Sequence, residues 1–574
     1  MIEQYILGIW DGHDSGAALL RGNKIIFAVN EERLTRRKLE ISFPRLSIQA
    51  CLDYAALPPA AVSIIAASTS DPAKTLTRFF PPLKEEYYLI RRRKKIPRSL
   101  DSSRKAFKYR LTEIPPNFLT AGLSRAYLNR QLHSLGFSKY NLCLIDHHSA
   151  HAETAARCCG FPEALVITLD GVGDGLAGSV RIWRRGELSL VQELTARISP
   201  GIFFEHVTNL LNMRELEDEG KVMALANYAY PVADEENPLL SIIRVAEGRF
   251  VSDYTANAMY KKLKKILWSY PSEQFAFMAQ RALEKNVLEL TRYYVGKTGL
   301  PAVCAAGGVF SNVKMNMAIA ALPEVERISV FPHMGDGGLA LGAAMAANRA
   351  QCAITDYDLP DIYLGPAFTA QQIKDSLAPA EGIIPTFRFR DNNPQEKAAA
   401  LILRGEVILW FRGRMEIGPR ALGNRSILAR PDDSRIKDRL NMLLKKRVWY
   451  QPFCPSILAE DAPALLDLNG QDINDNRFMT MAYRVREKHR RLLEGVSNID
   501  GTCRPHFVGD ENPAYRNLLL KIKKELGFGV LLNTSFNLHG EPLVCTPAEA
   551  VEMMKQTGIS FLFMEDMIIE NINS

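Results

Sequence analysis

The sequence predicts an α/β protein with a duplicated N-terminal lobe and a second α/β domain. Three observations carry this expectation. Residues 5–33, YILGIWDGHDSGAALLRGNKIIFAVNEER, hold apolar runs at 5–10, 16–20 and 24–29, separated by an Asp-Gly turn and by the hairpin signal Gly22-Asn23. Residues 164–194, ALVITLDGVGDGLAGSVRIWRRGELSLVQEL, repeat the order strand, Asp-Gly turn, strand, turn at Arg185-Gly186, strand, so that Asp11-Gly12 in the first copy matches Asp170-Gly171 in the second. Near the C-terminus, FGVLLNTSFN (528–537) reads as a buried strand entering a polar turn, PAEAVEMMKQTG (547–558) as a helix N-capped by Thr546, and FLFMEDMIIEN (561–571) as the final strand.

Two such Gly-rich copies facing one cleft resemble the duplicated fold of the actin, sugar-kinase and heat-shock ATPase superfamily. Helical spacing follows at 118–137, 203–213 and 272–296. VFPHMGDGGLALGAAMAA (330–347) reads as a turn and a small-residue helix that closes the first lobe. The Pro-interrupted stretch ITDYDLPDIYLGPAF (354–368) is the linker candidate, and a new strand pattern begins at Glu406–Phe411. The expected division is a lobe over 1–355, a linker over 356–385 and a second domain over 386–574.

Composition narrows the class. With 47% hydrophobic and 24% charged residues, neither disorder nor a global coiled coil fits. A net charge of +7 over 574 residues is too mild to indicate a nucleic-acid partner, and none is expected. No apolar window reaches membrane-spanning length, and the N-terminus lacks a basic region before its apolar run, so neither a spanning helix nor a signal peptide is expected. Nine cysteines without a CxxC pair point to a reducing cytoplasm, and vicinal Cys158-Cys159 reads as a packed pair. Residues 81–113 hold eleven basic against four acidic residues. The plain reading is a solvated loop or helix; the sharper one is a patch attracting an anionic acceptor or contacting an anionic surface weakly.

Several constellations carry chemistry. IDHHSAHAETA places His147 and His151 four apart, so both imidazoles share one helix face and can reach one metal ion. Asp170 at a strand end and Asp336 in MGDGG add carboxylate oxygens, a donor set suited to a ferrous-type or zinc-type ion. The Gly-rich turns after Asp11 and at Gly171 let backbone N–H groups approach a phosphate, and His13 lies in the first of them. CAAGGVFSNVKMN adds Gly307, Gly308 and Asn312, a turn suited to a nucleotide's ribose or phosphate. VGKTG (295–299) is not a P-loop: Thr291 stands where the motif needs Gly, and the flanking segment is helical rather than a strand. FRGRMEIGPRALGNRSILARP (411–431) carries Arg412, Arg414, Arg420, Arg425 and Arg430 among glycines, a pattern in which guanidinium forks converge on phosphate. Lys445, Lys446, Arg447 and Arg504 add cations; Asn533, Thr534, Ser535 and Asn537 add neutral donors.

These residues resemble the O-carbamoyltransferases of the NodU/CmcH/TobZ type. GIWDGHDSGAALL, EERLTRRK, DHHSAHA, LDGVGDG, EGKVMALA, AAGGVFSNVKMN, PHMGDGG, GRMEIGPRALGNRSIL, YQPFCPSIL, DGTCRP and NTSFNLHGEPLV match in order from residue 7 to about residue 550. The resemblance implies an N-terminal lobe like the tRNA threonylcarbamoyl transferase fold, within the actin-like superfamily, and a C-terminal YrdC-like domain. It implies that ATP, with Mg2+, and carbamoyl phosphate yield carbamoyl-adenylate in the C-terminal domain. The N-terminal domain then passes the carbamoyl group to the hydroxyl of a small-molecule acceptor. The family's metal ligands, for Fe(II) or another divalent ion, match His147, His151, Asp170 and Asp336. On that reading Arg420, Lys446, Arg447 and Arg504 bind carbamoyl phosphate, Thr534 and Ser535 orient oxygens, and His13 takes the acceptor's proton. The competing readings are a tRNA threonylcarbamoyl transferase, a non-enzymatic ATP sensor and a sugar kinase. The Arg-rich GPRALGNRS motif disfavours the first; the HxxxH pair disfavours the last.

Overall fold

The computed structural model describes residues 4–97, 101–377, 387–391 and 393–571. The chain forms two units: Met1–Glu31 with Glu40–Asp358, and Glu32–Leu39 with Leu359–Ser574.

In the first unit, β1 (Tyr5–Trp10), β2 (Gly16–Arg21), β3 (Lys24–Asn30), β4 (Val62–Ser68) and β5 (Asn141–Ile145) form one sheet in the order β3-β2-β1-β4-β5. The β3-β2-β1 pairs are antiparallel and the β1-β4-β5 pairs parallel. The second sheet holds β6 (Glu163–Gly173), β7 (Leu176–Arg184) and β8 (Glu187–Thr195); after a separate ribbon, β9 (Arg244–Ala246) with β10 (Arg249–Val251), come β11 (Ala302–Ala306) and β12 (Arg327–Val330). Its order is β12-β11-β6-β7-β8, with β6, β7 and β8 antiparallel and β6, β11 and β12 parallel. The two sheets thus share one topology, the actin-like duplication, and the repeat extends from the three strands visible in sequence to all five.

The small-residue helix Leu339–Cys352 shows why glycine and alanine crowd that segment. A Cβ on Gly8 of β1 would lie 1.9 Å from the Ala340 carbonyl oxygen, and one on Gly342 would lie 2.0 Å from the Ala150 carbonyl oxygen. Only missing side chains let this helix press against both β1 and the helix His147–Arg157. The latter starts where Asp146 accepts a hydrogen bond from the Ser149 N–H, an N-cap that sets both metal-type histidines in the first turns.

The second unit centres on an eight-stranded mixed sheet. Ile408–Phe411 pairs antiparallel with Arg425–Ala429 and parallel with Phe561–Met564; Val530–Ser535 lies between Arg425–Ala429 and Cys454–Leu458. Helices Pro394–Leu403 and Pro513–Leu526 cover it through a core including Trp410, Leu428, Tyr515 and Phe563. Thr546 caps the helix Pro547–Thr557, its side chain accepting from the Glu549 N–H.

Three expectations are corrected. Residues 561–571 are a hairpin, Phe561–Met564 with Met567–Asn571, because Glu565 takes a φ of 48° and turns the chain. The 356–385 linker is, from Leu359 to residue 377, part of the second unit. Its Pro-broken backbone is tied down by hydrogen bonds: Gly365 N–H donates to the Met415 carbonyl (2.8 Å), Ile417 N–H to the Ile362 carbonyl (2.9 Å), and the Tyr363 hydroxyl to the Leu422 carbonyl (2.7 Å). Residues 378–385 of the expected linker lie outside the described residues. Glu32–Leu39, expected in the first lobe, belongs to the second unit: Arg33 donates to the Gly418 carbonyl (2.9 Å), and Arg36 pairs with Glu549 (3.2 Å). Among the described residues, no helix is long and apolar enough to cross a membrane.

Candidate active site and metal centre

One ligand atom each from His147, His151, Asp170 and Asp336 lies within 4.8 Å of the others. His147 Nε2 stands 3.7 Å from an Asp170 oxygen and 3.5 Å from Asp336; His151 Nε2 stands 3.2 Å and 3.6 Å from the same two groups. The Thr69 hydroxyl lies 3.0 Å from His147 Nδ1 and fixes the ring, while the buried Nε2 has no hydrogen-bond partner. An orphaned imidazole nitrogen facing two carboxylates is the donor set of a divalent-cation site, and the four residues fit such an ion. Burial alone lowers the pKa of His147, but Asp336 and Asp170 reverse this and raise it to about 9. His148 differs: its ring nitrogens lie 3.0 Å from the Thr168 hydroxyl and 3.1 Å from the Leu176 carbonyl, so it is a structural histidine.

Glycines shape this centre. A Cβ on Gly173 would lie 2.2 Å from the His147 ring, and one on Gly308 would lie 2.9 Å from an Asp170 oxygen. Gly307 has a φ of 101°, with no room for a Cβ against the Leu169 carbonyl. Gly307 and Gly308 therefore serve the approach of two strand ends around Asp170. Gly171 N–H donates to an Asp170 oxygen (2.7 Å), so its amide is spent on the carboxylate beside it. Asn312, expected at a nucleotide, caps the helix Val313–Ala320 and exchanges amide hydrogen bonds with Gln280 (2.8 and 3.0 Å). Asp11 is likewise reassigned. Its buried carboxylate accepts from Arg78 Nε (2.8 Å) and Nη2 (3.0 Å) and pairs with Lys74 (2.8 Å), which leaves it no free oxygen for a ligand.

His13 Nε2 lies 3.2 Å from Asp336, and its ring meets the Tyr88 ring edge-on at 5.6 Å. Burial lowers its pKa against the opposing pull of Asp336, which favours a neutral imidazole able to accept a proton. A cavity of about 110 Å³ opens here, lined by His13, Asp170, Asp336 and His147 and walled by Tyr88 and Lys108. The basic segment 81–113 is therefore not solvated throughout: Arg93, Lys94 and Arg110 are exposed, but three of its cations turn inward. Lys84, Arg91 and Arg92 are buried. Lys84 donates to the Asp11 carbonyl (2.5 Å), Arg91 pairs with Glu205 and with Glu215 (2.5 Å), and Arg92 pairs with Glu217. These acidic partners lie over a hundred residues away in sequence, so local charge counting could not find them. The charges of Lys84, Arg91 and Arg92 are thus spent inside the fold.

In the second unit the arginine-rich motif divides. Arg425 is buried, with its guanidinium 3.6 Å from the Phe411 ring centroid and donating to the Arg412 carbonyl (2.7 Å). Arg412 pairs with Asp566, Arg414 donates to the Leu364 carbonyl (2.6 Å), and Arg430 pairs with Asp432 (2.7 Å). Arg420 stands apart: its Nε is buried without a hydrogen-bond partner, and burial together with nearby Arg504 lowers its pKa to about 9. Arg504 donates to the Cys454 thiol (3.1 Å) and Arg447 to the Asn441 amide oxygen (2.6 Å). None of these three has a carboxylate partner among the described residues. Like-charged groups held together without counter-charge make these three arginines a candidate anion site.

Lys446 is exposed with a φ of 45°, so it points away, and the neighbouring Lys445 is the buried amine. Lys445 donates to the carbonyls of Ser535 and Asn537 (2.8 Å for the latter) and to the Asn537 amide oxygen (3.0 Å). Thr534 is buried beside Ser535 in the Val530–Ser535 strand. The KKR run made Lys445 and Lys446 indistinguishable in sequence; Lys445 directly follows the π-helical turn Leu440–Leu444 and is the one that is buried. Thr69, at the end of β4, carries no local signal at all.

Fold and cluster together define an actin-like α/β enzyme with a histidine–carboxylate centre joined in one chain to a cationic α/β unit. Comparison with known proteins makes this specific. Residues 5–345 match the family model described as carbamoyltransferase N-terminus, and residues 399–571 match carbamoyltransferase C-terminus. The chain belongs to the carbamoyltransferase family and is a transferase. A protein of Methanocaldococcus jannaschii is 33% identical over 75% of this chain and 74% of its own. The nodulation protein NolNO of Sinorhizobium fredii is 31% identical over 97% of this chain and 79% of its own. The 3'-hydroxymethylcephem-O-carbamoyltransferase of Amycolatopsis lactamdurans is 31% identical over 61% of this chain and 64% of its own.

Proposed function

We propose that this chain transfers a carbamoyl group to the hydroxyl of a small molecule, using carbamoyl phosphate and ATP. Family membership supports the carbamoyl group, and the relative named as a hydroxymethylcephem O-carbamoyltransferase supports a hydroxyl acceptor. The observation that carries the site assignment is the convergence of His147, His151, Asp170 and Asp336 beside His13 at a cavity.

In this reading the second unit activates. Arg420, Arg447 and Arg504 hold the phosphate of carbamoyl phosphate, which leaves as inorganic phosphate when water cleaves the substrate to carbamate. The carbamate oxygen then attacks the ATP α-phosphorus, pyrophosphate leaves, and the same cations stabilise the charge as carbamoyl-adenylate forms. Lys445 and Asn537 hold the Ser535 turn, whose hydroxyl orients an oxygen of the substrate. The first unit transfers. The acceptor oxygen attacks the carbamoyl carbon, its proton passes to the unprotonated nitrogen of the neutral His13 imidazole, and AMP leaves with the electrons of the broken carbonyl–phosphate bond. A divalent cation, most simply ferrous iron, would be held by the two histidines and two aspartates and would polarise the carbamoyl carbonyl as a Lewis acid. Thr69 and Asp174 keep the ligand face in place, the latter accepting from the His147 N–H (2.8 Å). A cytoplasmic setting accords with this use of ATP.

The test is pyrophosphate release that requires both ATP and carbamoyl phosphate, followed by mass spectrometry of a hydroxyl-acceptor panel. Release with ATP alone, or a panel in which only amines gain mass, overturns the proposal.

A further inference from the structure

The helices Pro81–Arg91 and Asp101–Thr112 bring an unusual cation to the cavity that holds His13. Four lysines and arginines line that cavity: Lys74, Lys84, Arg91 and Lys108. Three are satisfied by the protein: Lys74 by Asp11 (2.8 Å), Lys84 by the Asp11 carbonyl (2.5 Å), and Arg91 by Glu205 and Glu215. Lys108 has no hydrogen bond or ion pair among the described residues. Its ammonium lies 3.5 Å from the Tyr87 ring centroid and 4.8 Å from that of Tyr88. Lys108 is half-buried, and the carboxylates of Asp71 and Glu205 on the same cavity act on it without forming an ion pair; aromatic faces attract a cation but leave its N–H donors unused, so the ammonium remains free to bind an anionic ligand. Consistently, burial and nearby Arg91 lower its pKa to about 7.

Geometry says where that anion lies. Tyr88 touches both His13 (5.6 Å between rings) and Lys108 (4.8 Å). A molecule presenting a hydroxyl to His13 therefore lays its next atoms across Tyr88 and ends at the Lys108 ammonium. We propose that Lys108, over Tyr87 and Tyr88, is the acceptor-selecting subsite, and that the acceptor is a small hydroxyl compound bearing a carboxylate or phosphate. This rests on the transfer reading above. The rival source of the same oxyanion is the phosphate of carbamoyl-adenylate, and the experiment separates the two.

Full-length enzyme is tested with matched acceptors, glycerol against glycerate and glycerol 3-phosphate, and glucose against glucuronate. Transfer is measured by mass spectrometry, and binding of the same compounds without donor by calorimetry. The wild type should favour the anionic member of each pair by tenfold or more in kcat/KM. K108M should reduce that ratio at least tenfold through KM for the anionic member, and K108R should preserve the preference and show that the site still folds. Equal losses for both members of a pair place the oxyanion on the donor and overturn the proposal, as does a ratio that K108M leaves alone. Calorimetry tells the two readings apart. Lys108-dependent binding of the anionic compounds without any carbamoyl ester upholds the subsite and sinks the hydroxyl-transfer reading; ester formation without such binding does the reverse.

Discussion

Replacing Asp11 by Asn tests whether the first Gly-rich turn serves a ligand or the fold. The Asp11 carboxylate is buried and holds Arg78 through two hydrogen bonds of 2.8 and 3.0 Å and Lys74 at 2.8 Å. Removing one partner of a buried ion pair costs about 3–5 kcal/mol, because the other charge stays behind. Here the lower end applies. Lys74 already has its pKa lowered to about 8 by burial and can shed its proton, whereas Arg78 cannot. The first unit has roughly 350 residues, so its unfolding entropy is about 0.7 kcal/mol/K, and about 3 kcal/mol becomes a Tm loss of about 4 °C. The assay is scanning calorimetry of Asp11→Asn, Arg78→Met and the double variant. Asp11→Asn should lose about 4 °C, and Arg78→Met on top of it should recover part of the loss, since no cation is then stranded. The pH dependence has a definite sign. Burial alone would raise the Asp11 pKa, but Arg78 and Lys74 hold it well below the usual carboxylate value. Its contribution is complete above the unfolded pKa near 4 and is lost as pH falls through the folded value, so wild type and variant should converge in acid. A variant with an undiminished Tm and weakened ATP binding would refute the structural role and restore Asp11 as a ligand-binding residue.

Three further outcomes are expected. His147→Ala or Asp336→Ala should remove a bound divalent cation and abolish carbamoyl transfer while sparing pyrophosphate release; full metal content in His147→Ala, His151→Ala protein, by elemental analysis, excludes the centre. Arg420→Ala and Lys445→Met should slow pyrophosphate release by roughly thirty- to a thousandfold, the equivalent of about 2–4 kcal/mol, and Lys446→Ala should change it less than threefold; the reverse ranking in stopped-time pyrophosphate assays would return Lys446 to the site. Gly308→Ala sets a Cβ 2.9 Å from an Asp170 oxygen, so it should weaken metal retention with a Tm shift under about 2 °C, whereas Gly307→Ala, at a φ of 101° against the Leu169 backbone, should cost about 2–4 kcal/mol of stability by calorimetry.

The basic segment changes how neighbouring mutations should be designed. Neutralising Arg91 removes the cation paired with both Glu205 and Glu215, whereas Glu217 keeps Arg214 (2.7 Å) when Arg92 is neutralised, so the Arg91 variant reports on folding before it reports on any ligand. Lys108 is a position in that wall where charge can be altered without breaking an ion pair or a hydrogen bond among the described residues.

Much of this protein is written locally. Strand runs at 5–10, 16–21 and 24–30, their copies at 163–195, the Thr546 cap and the i, i+4 histidines all follow from periodicity, turn chemistry and capping, which act over a few residues. The cluster of His147, His151, Asp170 and Asp336 was legible because the two histidines stand four apart on one helix face and the two aspartates lie in a strand and in a glycine turn, where such side chains have few structural uses. What only the tertiary structure decided is which polar groups remain free. Asp11 and Asn312 look like ligands in sequence but are consumed by Arg78 and Gln280, far along the chain. Four of the five arginines in 411–431 are spent on backbone carbonyls and nearby acids, leaving Arg420, and Lys445 rather than Lys446 turns inward. Part of the excess charge of 81–113 that looked solvent-bound, Arg91 and Arg92, is instead buried against glutamates more than a hundred residues away. A side chain's type sets what it can bind, but its availability depends on partners brought together by folding, and no local pattern records those distances.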